Sequence, residues 1–123
     1  MNATTVNHDD TDGVRVVSFP RNQRGQADPD VVRRFFSREF LASTDGCTDL
    51  VVDLTGVLTL DSASLGPLVQ RLRDIQIRRG VMCLCGVRSA GLREIFALTR
   101  FDKIFPIHHS LGDALKHIQH SRQ

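Results

Sequence analysis

The chain has 123 residues, 41% of them hydrophobic, enough for one domain with a single core. No stretch approaches the roughly 20 apolar residues of a membrane helix. A net charge of +2, scattered arginines and the absence of Trp and Tyr argue against direct nucleic-acid binding through aromatic stacking platforms.

Residues 1–12 carry no hydrophobic period and are expected to form a flexible N-terminal tail. Residues 14–19 (VRVVSF) predict a first strand stopped by Pro20, followed by a polar loop over residues 21–27. Asp28-Pro29-Asp30 is a helix start, with Asp as N-cap and Pro at the first helical position. Val32, Phe35, Phe36 and Phe40 follow on one face, and the helix should end near Ala42. Residues 49–54 predict a second strand, apolar enough to be central in a sheet covered on both faces.

Asp61-Ser62-Ala63-Ser64-Leu65-Gly66 then sets two hydroxyls and a carboxylate at a strand-to-helix junction, where free N–H groups and the helix dipole favour an anion. The helix behind it carries Leu65, Leu68, Val69, Leu72 and Ile75 on one stripe and should end at a left-handed Gly80. Arg71, Arg73, Arg78 and Arg79 are assigned to its solvated face. Because proline fits the first turn of a helix, Pro67 predicts a start around Ala63 or Ser64, with Ser64 as N-cap and Ser62 in the preceding turn. Residues 81–85 predict a third strand. Ser89 caps a helix bearing Leu92, Ile95 and Phe96. Ile104, Phe105 and Ile107 suggest a short edge strand interrupted by Pro106, and Ser110 with Asp113 opens a last helix. Alternating strands and helices imply an α/β fold with a mixed, largely parallel sheet of four to five strands and about four helices.

The stretch 50–66, containing VVDLTGVLTLDSASLG, resembles the central signature of STAS domains, the family of bacterial anti-sigma-factor antagonists. Residues 89–105 (SAGLREIFALTRFDKIF) and 110–118 are similar to the family's later helices and final strand, so the resemblance covers about residues 47–120. It implies a single STAS-like domain over 13–120, with 121–123 as a C-terminal tail. It further implies a non-enzymatic, cytoplasmic signal-transduction module of transcription regulation. Its partner would be an anti-sigma factor that is also a serine kinase of the GHKL type, and homo- or hetero-oligomers are compatible with it. By position, Ser62 is the phosphoacceptor, and Asp61, Ser62, Ala63, Ser64, Leu65 and Gly66 form the partner-binding surface. The alternative is a constitutive STAS subunit of a larger assembly such as a lipid-transport ABC complex. The sequence departs from the family pattern in three respects. Ser64 stands where glycine is usual and Ala63 where Ser or Thr is common, Pro67 is unusual so soon after the acceptor, and the first strand is followed by residues 20–25 (PRNQRG) in place of an acidic segment.

Other candidates read as structure. Asp53 with Asp61 suggests paired carboxylates, but no histidine or third acid is near them in sequence. Cys83 and Cys85 share one strand face without a completing metal set and are read as buried thiols; with Cys47 they make an odd number, consistent with a reduced setting. His108 and His109 lie in no motif, and His117 and His120 sit near a helix end. No catalytic residue, metal site or cofactor is expected. A nucleotide-binding or enzymatic reading through Asp53, Asp61 and Ser62 ranks below both STAS readings.

Overall fold

The computed structural model describes residues 6–11 and 13–121. A five-stranded sheet runs in the order β1-β2-β3-β4-β5, from β1 (Asn7–Thr11) and β2 (Val14–Ser18) through β3 (Asp49–Asp53) and β4 (Met82–Cys85) to β5 (Ile107–His108). β1 pairs antiparallel with β2, and every later pairing is parallel. From β2 on, each crossover moves one strand in the same direction. Right-handed connections of that kind put their helices on one face of the sheet.

The burial parity of the strands follows. Val17, Leu50, Val52, Met82 and Leu84 belong to a large core with the crossover helices, while Val14, Val16, Val51, Cys83 and Cys85 face Ala114 and Ile118 of α6 (Leu111–Ser121) on the other side. β3, in the middle, has Leu50, Val51 and Val52 fully buried, as its apolar run predicts. The expected mixed, largely parallel sheet is present at the upper strand number, with five helices among the described residues when α1, the π-helical turn and α2 are counted as one continuous helix.

The tail expectation is corrected. Residues 7–11 form an edge strand, and Val6 enters the core; residues 1–5 and 12 lie outside the described residues. NHDDT has no apolar alternation; this strand is held by backbone pairing with β2 and by the Asp10–Arg15 ion pair (3.0 Å). Ser121 likewise closes α6 rather than opening a tail, and 122–123 lie outside the described residues.

The first crossover starts as read, with Asp28 accepting from the Asp30 N–H (2.8 Å) and Pro29 at the first helical position. It runs from α1 (Pro29–Arg34) through a π-helical turn (Phe35–Glu39) into α2 (Phe40–Ser43). The π turn has a packing reason. On a regular α-helix, Phe40 at i+8 from Val32 would be rotated by about 80°; absorbing one extra residue makes it behave as i+7, about 20° away. Phe35, Phe36 and Phe40 are thereby all buried, with ring centroids 5.1–5.8 Å apart.

α3 (Ser62–Ile77) buries Leu65, Leu68, Leu72 and Ile75, as its stripe predicts. Its C-terminus differs from the expectation. Arg79, at φ +64°, takes the left-handed position, and Gly80 donates back to the Ile75 carbonyl (2.8 Å). Gly80 is instead fixed by close approach: a Cβ there would stand 1.8 Å from the Thr48 carbonyl oxygen. Ile104 and Phe105 also depart from the expected strand. Left-handed Arg100 ends α4 (Ala90–Leu98) and starts a helical turn, α5 (Phe101–Ile104), that stacks Phe101 on Phe96. Only Ile107 and His108 remain for β5.

Arg71 is not on the solvated face. It is buried, with Nε donating to Thr44 Oγ1 (3.0 Å), Nη1 to Asp74 (3.1 Å) and Nη2 to the Leu41 carbonyl. Thr44 in turn donates to the Phe40 carbonyl (2.6 Å), so one guanidinium ties α3 to the end of α2. Arg73, Arg78 and Arg79 are exposed. Arg71→Ala removes the bonds that tie α3 to the end of α2 and should lower unfolding stability by about 2–3 kcal/mol. Arg73→Ala should change it by less than about 0.5 kcal/mol in the same urea denaturation series.

Candidate functional site at the start of α3

The link between β3 and α3 is clamped from two sides. Gly56, at φ +88°, presents its carbonyl to the Ala27 N–H (2.9 Å), and a Cβ on it would meet the Gly25 oxygen at 2.8 Å, so only glycine fits against the 20–27 loop. On the other side, the Ser89 hydroxyl donates to the Leu58 carbonyl (2.6 Å) while its oxygen caps α4 through the Leu92 N–H (3.0 Å). Val57 and Leu60 are buried, so the link enters α3 from a fixed direction, with Leu58 left 45% exposed.

The helix begins one turn earlier than Pro67 suggests. Asp61 is the N-cap in extended conformation, and Ser62 is the first helical residue. One carboxylate oxygen of Asp61 accepts from both the Ser64 N–H (3.1 Å) and the Ser64 hydroxyl (3.0 Å). Ser64 is therefore not the cap but the residue that locks it, and it is 2% exposed. Pro67 lies inside the helix, beyond the first turn, where its missing N–H leaves the Ala63 carbonyl without its usual donor. The cap and the buried stripe of Leu65, Leu68 and Leu72 outweigh that loss.

The two serines consequently differ in character. The Ser62 hydroxyl is exposed and makes no side-chain hydrogen bond among the described residues, while Ser64 is enclosed and fully occupied. Asp61, Ala63 and Gly66 are exposed beside Ser62, and Leu65 is buried beneath them. A cleft of about 130 Å³ next to the cap is lined by Thr59, Leu60, Asp61 and Ser64 from one side and Pro29, Val32 and Arg33 from α1 on the other. Sequence reading missed Arg33. Only the first crossover brings it here, and no spacing rule links residues about thirty apart.

The other chemical candidates are engaged elsewhere. Asp53 accepts from the Thr55 N–H (3.0 Å) and hydroxyl (2.6 Å), closing the turn that leaves β3. Burial, with Asp53 nearby, pushes the Cys85 thiol up to about 12. Burial, with Asp49, pushes Cys83 up to about 11. Both are neutral thiols near pH 7 and poor nucleophiles. Residues 20–27, which follow the first strand, form a turn in which Asn22 Oδ1 accepts from the N–H groups of Arg24 (2.8 Å) and Gln26 (3.0 Å). Among the described residues, no helix is long and apolar enough to cross a membrane.

The sequentially ordered, mostly parallel sheet with its crossover helices is the fold of solved STAS-domain proteins. The STAS domain family model matches residues 24–114, and the chain belongs to that family. Solved structures agree. An anti-sigma factor antagonist from Mycobacterium paratuberculosis is 29% identical with a TM-score of 0.71, the match covering 94% of this chain and 93% of that one. An anti-sigma-factor antagonist (STAS) domain protein from Planctomyces limnophilus is 27% identical with a TM-score of 0.72, over 92% and 96% of the two chains. Moorella thermoacetica RsbS, in a serine-to-glutamate form, shares the fold at 18% identity and a TM-score of 0.67, over 96% and 98%.

Asp61→Ala removes the cap and both acceptor bonds and should cost about 1–2 kcal/mol in chemical denaturation; Asp61→Asn, which keeps an acceptor oxygen, should stay within about 0.5 kcal/mol of the parent.

Proposed function

We propose that this protein is a regulatory binding module, an anti-sigma-factor antagonist whose association with its partner is switched by phosphorylation of Ser62. The observation that carries this reading is the contrast at the start of α3. Ser62 is the exposed, unpartnered hydroxyl at the first helical position, while Ser64 is buried and spent on Asp61. The likeness to the Mycobacterium and Planctomyces antagonists supports the same class.

The physical consequences are those of a switch that leaves the fold alone. A phosphate brings about −1.5 to −2 charges at neutral pH, and at the first turn of a helix the free N–H groups and dipole favour that charge. Asp61 adds a like charge, held by Ser64 toward the helix. A partner packed over Ser62, Ala63, Gly66 and the exposed Leu58 would have to desolvate the phosphate, at a cost far above what the domain itself meets. The partner of this chemistry is an anti-sigma factor that is itself a GHKL-type serine kinase. The module carries no catalysis of its own in this reading.

Incubation with the GHKL-type kinases of its own genome and ATP, followed by mass spectrometric mapping, should place a single phosphate on Ser62. Ser62→Ala should abolish it with unfolding stability within about 0.5 kcal/mol of the parent, whereas Ser64→Ala should still be phosphorylated. Ser62→Asp should weaken partner binding by tenfold or more, about 1.4 kcal/mol. Modification elsewhere refutes the assignment, and a Ser62→Asp protein that binds its partner at full strength points to a constitutive STAS subunit instead.

A further inference from the structure

On the sheet face opposite α3, three side chains far apart in sequence converge. Cys83 of β4, His108 of β5 and His117 of α6 place a sulfur and two ring nitrogens all within 4.8 Å of one another. The topology explains the meeting. His108 pairs with Cys85 across the parallel β4–β5 ladder, and Cys83, two residues back on the same strand, shares that face. α6 packs across the face with Ala114 and Ile118 buried, so His117, beside Ile118, is brought down onto the β5 edge. The two imidazoles lie 4.8 Å apart between ring centroids.

One feature of the cluster is unexplained by packing. Nε2 of His108 is buried with no hydrogen-bond partner among the described residues. A buried polar atom left unsatisfied costs about 1–3 kcal/mol, and such atoms are rare enough to call for a reason.

We propose that Cys83, His108 and His117 form a binding site for one divalent transition-metal ion, zinc by preference, with a fourth position left to water. One thiolate and two imidazoles are a donor set that zinc takes and that magnesium and calcium, which need oxygen ligands, do not. At bond lengths of roughly 2.0–2.3 Å, tetrahedral donors stand about 3.3–3.8 Å apart, so the trio must close by about 1 Å. His117, half-buried on the helix surface, can supply that movement by rotation of its side chain. On binding, the Cys83 sulfur forms its bond to the metal and releases its proton to bulk water, while both histidines bind as neutral rings. Spacing in the sequence could not reveal this set. It pairs Cys83 with residues 25 and 34 positions away, and the same-strand neighbour Cys85 is not part of it.

The test uses the full chain, kept reduced. After exposure to zinc and removal of excess by gel filtration, metal analysis should return one zinc per chain. Cobalt(II) substitution should give a thiolate-to-cobalt charge-transfer band in the near ultraviolet with intense visible bands of a four-coordinate ion. Cys83→Ser should remove the charge-transfer band, and His117→Asn should weaken zinc binding by more than about a hundredfold, beyond the loss typical of an outer-shell partner. Cys47→Ser should do neither. His117→Asn lies on a half-buried helix face and keeps the test open if Cys83→Ser does not fold. Substoichiometric zinc, a cobalt spectrum without the thiolate band, or unchanged affinity in a folded His117→Asn protein would each overturn the site.

Discussion

The whole arrangement depends on β3 being buried on both faces. A strand in that position can use only apolar side chains along its length, and Leu50, Val51 and Val52 have no exposed surface. Its two acids are therefore confined to the ends, and each is put to use there. Asp49 accepts from the Val81 N–H (2.9 Å) and fixes the entry of β4, while Asp53 closes the turn that starts the link to α3. The strand thus carries the register of the sheet at one end and the direction of the functional helix at the other.

From that anchor, the character of the site follows in short steps. Leaving β3, the link is pinned by Ala27 on Gly56 and by Ser89 on Leu58, which leaves one entry direction into α3. Asp61 must then satisfy the first N–H groups of the helix, and the residue in reach of its carboxylate is Ser64. Ser64, at the position where the resemblance implies glycine, is part of the cap itself. Its hydroxyl adds a second bond to the cap (3.0 Å) and is withdrawn from solvent, which leaves Ser62 as the accessible hydroxyl of the pair.

Side-chain periodicity carried most of this into the sequence. The Asp28-Pro29 start, the α3 stripe, the Ser89 and Ser110 caps and the central place of β3 were all legible, because each is a local pattern with a local physical reason. What escaped was decided elsewhere in the chain. β1 is polar and is held by backbone pairing. Arg71 resembles its exposed neighbours in the sequence, yet the end of α2 supplies buried acceptors for it. Gly80 was read as a conformational choice, whereas the Thr48 carbonyl makes it a steric one. The start of α3 was misplaced by weighing Pro67 alone. A proline inside a helix is affordable when a strong cap and a buried stripe hold the turn around it.

The two candidate sites lie on opposite sides of the sheet, and that separation has consequences for how they can communicate. Ser62 opens a helix whose stripe packs into the core with Met82 and Leu84, while Cys83, between those two residues, points to the α6 side. Any coupling between a phosphate on Ser62 and a metal at Cys83 must pass through β4, a four-residue strand with every side chain buried. A strand so enclosed has no second low-energy packing, since interiors are dense and shift by discrete repacking and not by continuous flexing. The expected relation is independence: a metal at Cys83 would fasten β4, β5 and α6 to one another without bearing on the start of α3.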